Sequence, residues 1–160
     1  MGDCPDGPIE EPGPLLVREP GEILMRRVFA DTSYWIALLN PRDELHEKAR
    51  GVSEGDSFDE IVTSEMILVE LLNSFSDRGP RLREAVSKAV HILRTNRTVV
   101  ILPQTSQQFE STLKRYRDMA DKSWSFTDCA SFLIMEAEGI HAALTHDRHF
   151  AQAGFETLLR

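Results

Sequence analysis

The chain has 160 residues, 41% of them hydrophobic, enough for one domain with a proper buried core. It lacks an apolar run near the ~20 residues that cross a bilayer, and its N-terminus lacks the basic start and apolar stretch of a secretory signal, so a cytoplasmic protein is expected. The net charge of −8 argues at first sight against a nucleic-acid partner, but residues 1–24 carry −5 of it and leave only −3 for the rest.

Residues 1–24 hold five of the eight prolines, four of the nine glycines and no hydrophobic period, which predicts a disordered acidic tail. Met25 then opens MRRVFADTSYW, the natural beginning of a domain spanning 25–160, so the tail is expected to be dispensable for folding. Cys4 in the tail and Cys129 in a predicted helix do not form a framework, and zinc normally needs four clustered ligands.

Arg27 to Asp31 reads as a short buried strand. Thr32 or Ser33 then caps a helix, Tyr34 to Leu39, which Asn40-Pro41 ends. A polar, exposed helix is expected over Asp43 to Val52, and a loop at Gly55-Asp56. Glu60 to Thr63 is a strand, and Ser64 caps a buried helix running to about Ser76. Pro80 suits the first turn of another helix, with Leu82, Val86, Ala89, Val90 and Leu93 at helical spacing. Thr98 to Leu102 is a strand closed by Pro103. An amphipathic helix follows, with Phe109, Leu113, Tyr116 and Met119 on one face.

The stretch from Ser125 to Phe150 reads as a buried helix over Thr127 to Glu138, a stop at Gly139, a strand over Ala142 to Thr145, and a turn. Phe155 to Leu159 is a possible last strand. Short apolar strands separated by helices predict a mainly parallel sheet with helices on both faces.

Four acids stand in apolar settings: Asp31, Glu70, Asp128 and Asp147. An ionised carboxylate there is costly unless it is hydrogen-bonded, paired or bound to metal. In open parallel sheets ligands bind beyond the carboxyl ends of the strands. Asp31 and Asp147 lie at such ends, Asp128 lies at a helix start, and Glu70 is about two turns into its helix. Hard oxygen ligands suit Mg²⁺ or Mn²⁺, and the reaction that fits is metal-assisted phosphodiester hydrolysis.

Each acid also has a structural explanation. Asp31 can cap the following helix, Asp128 can complete a capping box with Ser125, Asp147 can serve a turn, and Glu70 can face solvent. Singly these explanations win for the three aspartates; the set of four reverses that preference. Glu65 lies about 140° round the helix from Glu70 and is explained by the helix dipole. Asp121 is open between a supporting and a ligand role. His146 and His149 flank Asp147 and could touch substrate, but lack spaced partners for a zinc triad. Arg26, Arg27, Lys122 and Arg148 neighbour the proposed edge and are candidates for phosphate contact. Trp35 and Trp124 are read as core residues.

VFADTSYWIALLN (28–40), TSEMILVELLN (63–73), DKSWSFTDCASF (121–132) and ALTHDRHFAQAGF (143–155) together resemble the PIN-domain ribonucleases, and within them the VapC-like group. The resemblance implies a Rossmann-like three-layer α/β/α sandwich with Mg²⁺ or Mn²⁺ in an acidic pocket. By motif position it places Asp31, Glu70, Asp128 and Asp147 at the metal. It further implies endonucleolytic cleavage of RNA, a homodimer and an antitoxin that blocks the site. The acidic tail is not part of the family pattern.

A non-catalytic RNA-binding or interaction module on the same fold is the alternative, and RNA binding without turnover would favour it. An Asp-x-Asp phosphatase would need an acid where Ser33 stands. A phosphate-accepting receiver would need Asp where the chain has Leu102-Pro103.

Overall fold

The computed structural model describes residues 26–55 and 58–160. The tail, Met25, Cys4 and Asp56 lie outside them. Among the described residues five strands form one all-parallel sheet: β1 (Arg27–Ala30), β2 (Glu60–Ser64), β3 (Val99–Leu102), β4 (Ala142–Leu144) and β5 (Glu156–Thr157). Seven helices connect them: α1 (Thr32–Leu39), α2 (His46–Gly55), α3 (Glu65–Ser74), α4 (Pro80–Thr95), α5 (Ser106–Asp118), α6 (Phe126–Glu138) and α7 (Arg148–Gln152). None of them is long and apolar enough to cross a membrane. Helices α1 to α4 pack among themselves, as do α5 to α7. This is the α/β/α sandwich expected from short apolar strands separated by helices.

The strand order is β3-β2-β1-β4-β5. The chain winds outward from β1 to β2 and β3, then crosses back to lay β4 on the other side of β1. The reversal leaves a switch point between β1 and β4, where the connections leave the sheet in opposite directions. Register fixes what meets there. Phe29 pairs with Ala143 and Ala30 with Leu144, and the Asp31 N–H still donates to the Leu144 carbonyl at 3.3 Å. Asp31 therefore comes level with Thr145, although 114 residues separate them.

The core lies on both faces of β1 and β4: Val28, Phe29, Ala30, Ala143 and Leu144 have no exposed surface, so these strands read as continuous apolar runs. Trp35 and Trp124 are buried, as expected. Phe132 of α6 is the hub of an aromatic cluster. Its ring centroid is 4.9 Å from Trp124, 5.0 Å from Phe150 and 5.7 Å from Phe155. The Arg115 guanidinium covers the Trp124 and Phe132 rings at 5.8 and 5.7 Å. Gly139 ends α6 in the left-handed conformation (φ 64°), where a Cβ would be disfavoured.

Several local expectations shift. Asp31, not Thr32 or Ser33, is the N-cap of α1, because its carbonyl accepts from the Tyr34 and Trp35 N–H groups while its own N–H stays with β4. α2 starts at His46 rather than Asp43: the Asp43 side chain accepts from the Leu45 N–H and turns the chain first. The turn after Asp147 is the short helix α7. The last strand shrinks to Glu156–Thr157, since β5 is an edge paired only with Ala142 and Ala143.

The apolar face of α5 is not buried: Phe109, Leu113, Tyr116 and Met119 are all exposed, with Phe109 and Tyr116 leaning on Phe126. In α4 only Val86 is buried, and Leu82 is exposed.

Arg27 is not at the proposed edge. It starts β1, roughly 13 Å of strand away from Asp31. There its guanidinium ties β1 to Glu60 of β2 and Glu138 of α6, both at 2.8 Å. Arg26 lies at the same far end, its guanidinium over the Phe58 ring.

Candidate active site

Beyond the carboxyl ends of β1 and β4 opens a cleft of about 710 Å³ lined by Asp31, Glu70, Asp128 and Asp147. All four acids singled out in the sequence meet there, although each comes from a different part of the chain. A larger share of apolar wall lines a second cavity of about 270 Å³ between α5 and α6, which contains none of these acids.

Asp31 is buried at the exit of β1. Its Oδ2 accepts from the hydroxyls of Ser33 and Thr145, both at 2.8 Å. It is the N-cap of α1 through its carbonyl, but its side chain makes no capping hydrogen bond, so capping does not account for the carboxylate. Burial raises its pKa above the usual aspartate range; the two hydroxyls and the nearby Thr32 and Ser33 amides only partly oppose that.

Thr145 joins two of the acids. It is fully buried, donates to Asp31 and accepts from the Asp147 backbone N–H at 3.0 Å. Thr145→Val keeps the shape but leaves the Asp147 N–H without its acceptor and Asp31 with Ser33 as its one hydroxyl donor, so a loss of about 1–3 kcal/mol in chemical denaturation is expected. Thr145→Ser should recover most of it. Equal stability of the two variants would show that the hydroxyl holds nothing.

Asp128 serves two purposes at once. Its Oδ2 accepts from the Ser125 backbone N–H at 2.7 Å, and its own N–H donates to Ser125 Oγ at 3.0 Å, closing the capping box at the start of α6. The carboxylate still faces the cleft. Asp147 caps α7 through the His149 N–H at 2.8 Å. Glu70 is an exposed residue of α3, but its Oε2 accepts from Thr32 Oγ1 at 3.0 Å and is thereby turned to the cleft. Desolvation raises its pKa, the Thr32 bond opposes this, and the negative charges of Asp31, Asp128 and Asp147 add to the rise. A glutamate that feels three neighbouring carboxylates in this way belongs to a set short of positive charge.

His149 carries more than its sequence position suggested. Its Nδ1 lies 3.2 Å from Asp128 Oδ2 and 3.4 Å from Asp147 Oδ1. One ligand atom from each of Asp128, Asp147 and His149 falls within 4.8 Å of the others. Ligands of an octahedral ion at about 2.1 Å stand about 3 to 4.2 Å apart, so this set needs little movement to hold Mg²⁺ or Mn²⁺. Asp31 and Glu70 line the same cleft outside that tight group. Asp121 does not line it; it is exposed and pairs with Lys122 at 3.4 Å. Of the basic candidates, Arg148 lines the cleft and Lys122 does not. The signal for His149 was the Asp-x-His spacing at a helix start, which brings a ring at N2 back over its own N-cap.

Residues 28–156 match the PIN domain family. The chain is 27% identical over 128 residues to the 23S rRNA-specific endonuclease VapC20 of Mycobacterium tuberculosis, covering 80% of this chain and 95% of that protein. The crystal structure of Mycobacterium tuberculosis VapC20, described as a sarcin-ricin loop cleaving toxin, superposes with a TM-score of 0.72 at 28% identity, over 80% of this chain and 95% of the other. FitAcB from Neisseria gonorrhoeae shares the fold at 14% identity, with a TM-score of 0.62 over 81% of this chain and 95% of its own.

Proposed function

The chain belongs to the PIN-domain family, and from that premise we propose that it is a divalent-metal-dependent endoribonuclease of the VapC-like kind, the toxin of a toxin–antitoxin pair. One observation supports the reading above the rest: acids from four separate elements converge at the switch point of a parallel sheet, where the fold leaves room for a ligand. Asp31, Glu70, Asp128 and Asp147 would hold Mg²⁺ or Mn²⁺, with His149 beside them.

The bound ion supplies neutralisation of phosphate charge and a water made nucleophilic near neutral pH. The protein supplies placement. Thr145 and Ser33 hold Asp31, Thr32 turns Glu70 inward, and the capping box aims Asp128. Among the described lining residues there is no cysteine and no serine bonded to a histidine, and the Ser33 hydroxyl is taken up in holding Asp31, so the residues favour attack by water.

The protein acts in the cytoplasm on RNA, and the 23S rRNA loop named for the relative is the first substrate to try. The exposed Phe109, Leu113, Tyr116 and Met119 face of α5 suits the interface of a homodimer. The deciding experiment is cleavage of a defined RNA pool with Mn²⁺ and with EDTA, wild type against Asp128→Asn. Cleavage that requires Mn²⁺ and is lost in the variant is expected; cleavage undiminished by EDTA overturns the reading.

Metal binding should also register as stability. At a free Mn²⁺ concentration a hundredfold above Kd the folded state gains about 2.7 kcal/mol, or roughly 5–10 °C in Tm for a domain of this size. Asp147→Asn should blunt the shift, and a wild-type melting curve indifferent to Mn²⁺ and Mg²⁺ would contradict the proposed centre.

A further inference from the structure

The chain carries 26 acids against 18 lysines and arginines, yet one exposed element runs against that balance. On α4 and its two flanks stand Arg78, Arg81, Arg83, Lys88, Arg94 and Arg97, with Glu84 the only acid between the first and the last. All six are exposed. Lys88 pairs with Glu84 at 2.7 Å; the five arginines have no ion pair among the described residues. Arg27, Arg50, Arg115 and Arg117 do find carboxylates. In an acidic protein, three arginines on one largely exposed helix and two beside it, none with an ion pair among the described residues, form an unmatched positive surface.

Topology links this face to the cleft. α4 packs on β3 and feeds directly into it, and β3 is parallel to β1. Asn96, just past α4, therefore lies at the end of the sheet opposite the acids, while the Arg94 side chain lines a hollow with Glu65, which opens α3 beyond the carboxyl end of β2. With 16 residues the helix is about 24 Å long, so its charges form an extended track. Arg83 and Arg94 are eleven residues apart, on nearly the same side of the helix and about 16 Å apart along it. That distance spans several phosphates of a nucleic-acid strand. Arginine suits the task, since its planar fork binds phosphate oxygens in pairs.

We propose that α4 and its flanking arginines are the surface on which the RNA backbone docks, holding the substrate by its phosphates while the cleft works on a neighbouring segment. The proposal rests on the ribonuclease reading and adds to it the place where affinity comes from. An acidic cleft repels phosphate until its cation is bound, so a positive surface outside it is needed to capture the substrate.

The test separates binding from turnover. Fluorescence anisotropy with a labelled RNA of about 25 nucleotides, in EDTA, compares wild type with Arg83→Glu/Arg94→Glu. A control variant, Arg42→Glu/Lys114→Glu, changes net charge equally at two other exposed positions. The α4 variant should lose about tenfold in affinity, and its plot of log affinity against log salt should be shallower by about 1 to 2. The control should lose less than about threefold. Where Mn²⁺-dependent cleavage is seen, KM should rise in the α4 variant with kcat nearly unchanged.

Wild-type affinity and salt slope in the α4 variant, or equal losses in the control, would overturn the proposal. So would unchanged RNA binding together with lost affinity for a synthetic peptide of residues 1–24, which would reassign the face to an acidic polypeptide. Failure of cleavage with intact, α4-dependent RNA binding would instead sink the ribonuclease reading and leave this surface standing. Circular dichroism of both variants checks that each is folded.

Discussion

Asp31→Asn is expected to abolish RNA cleavage and, in the same protein, to raise the stability of the metal-free state. The two effects share one cause. Asp31 is a carboxylate buried at the end of β1, with Ser33 and Thr145 as its only side-chain donors among the described residues. Burial lifts its pKa above the ordinary value. An asparagine fills the same space, its oxygen keeps both hydroxyl bonds, and its amide can face the cleft, so the variant folds without a buried charge. It cannot offer a carboxylate to a cation, and a loss of about 10²–10³ in rate or more is expected.

The sign of the pH dependence follows from linkage. A raised folded-state pKa means that, between the unfolded value near 4 and the folded value, the native state binds more protons than the unfolded one. Ionisation of Asp31 therefore costs stability as pH rises through that window, and the cost is complete above the folded pKa. The stability gap between Asp31→Asn and wild type should be small near pH 4, widen upward and then level off. Urea denaturation in EDTA at several pH values measures it. Saturating Mn²⁺ should reverse the order at neutral pH by stabilising wild type alone. A variant less stable than metal-free wild type at pH 8 would mean that the carboxylate is structural rather than held for a ligand.

Phe132→Ala should give the largest loss of stability of any change considered. Its ring is fully buried at the meeting point of Trp124, Phe150 and Phe155. Truncation removes the transfer free energy of the ring and leaves a cavity, about 3–5 kcal/mol together. That is a large part of the 5–15 kcal/mol that holds a typical domain. The same cluster seats α6, which carries Asp128, against α7, which carries His149 behind Asp147. Protein that remains folded should therefore bind Mn²⁺ more weakly, because the acids lose their mutual placement. Phe132→Leu fills much of the cavity and should recover part of the stability. A Phe132→Ala loss below about 1 kcal/mol would show that the cluster is not the keystone of this half of the molecule.

Much of the site was legible residue by residue. Asp31 and Asp147 stood at the ends of apolar strands and Asp128 beside its capping Ser125, and these positions depend only on local pattern. The family motifs lay over the same residues. His149 was undervalued because its importance comes from Asp128, 21 residues away, whose oxygen its ring meets across a packing contact. Arg26 and Arg27 lie away from the cleft for the converse reason. Sequence proximity to Asp31 suggested proximity to the cleft, but an extended strand carries its two ends to opposite edges of the sheet. The face of α5 reads as amphipathic from its spacing, and spacing does not say whether the fold itself has anything to set against it.

The sequence by itself determined the elements: apolar runs of strand length, helical spacing, the caps at Ser64 and Ser125 and the stop at Gly139 all act between neighbours. It also supplied the chemistry, as carboxylates too costly to leave beside apolar runs without a purpose. Only the tertiary structure decided that β4 lies beside β1, that Asp31 comes level with Thr145, and that Glu70 turns inward through Thr32. Those outcomes depend on strand order and register, which are set by how whole layers bury their surface rather than by any short stretch of chain.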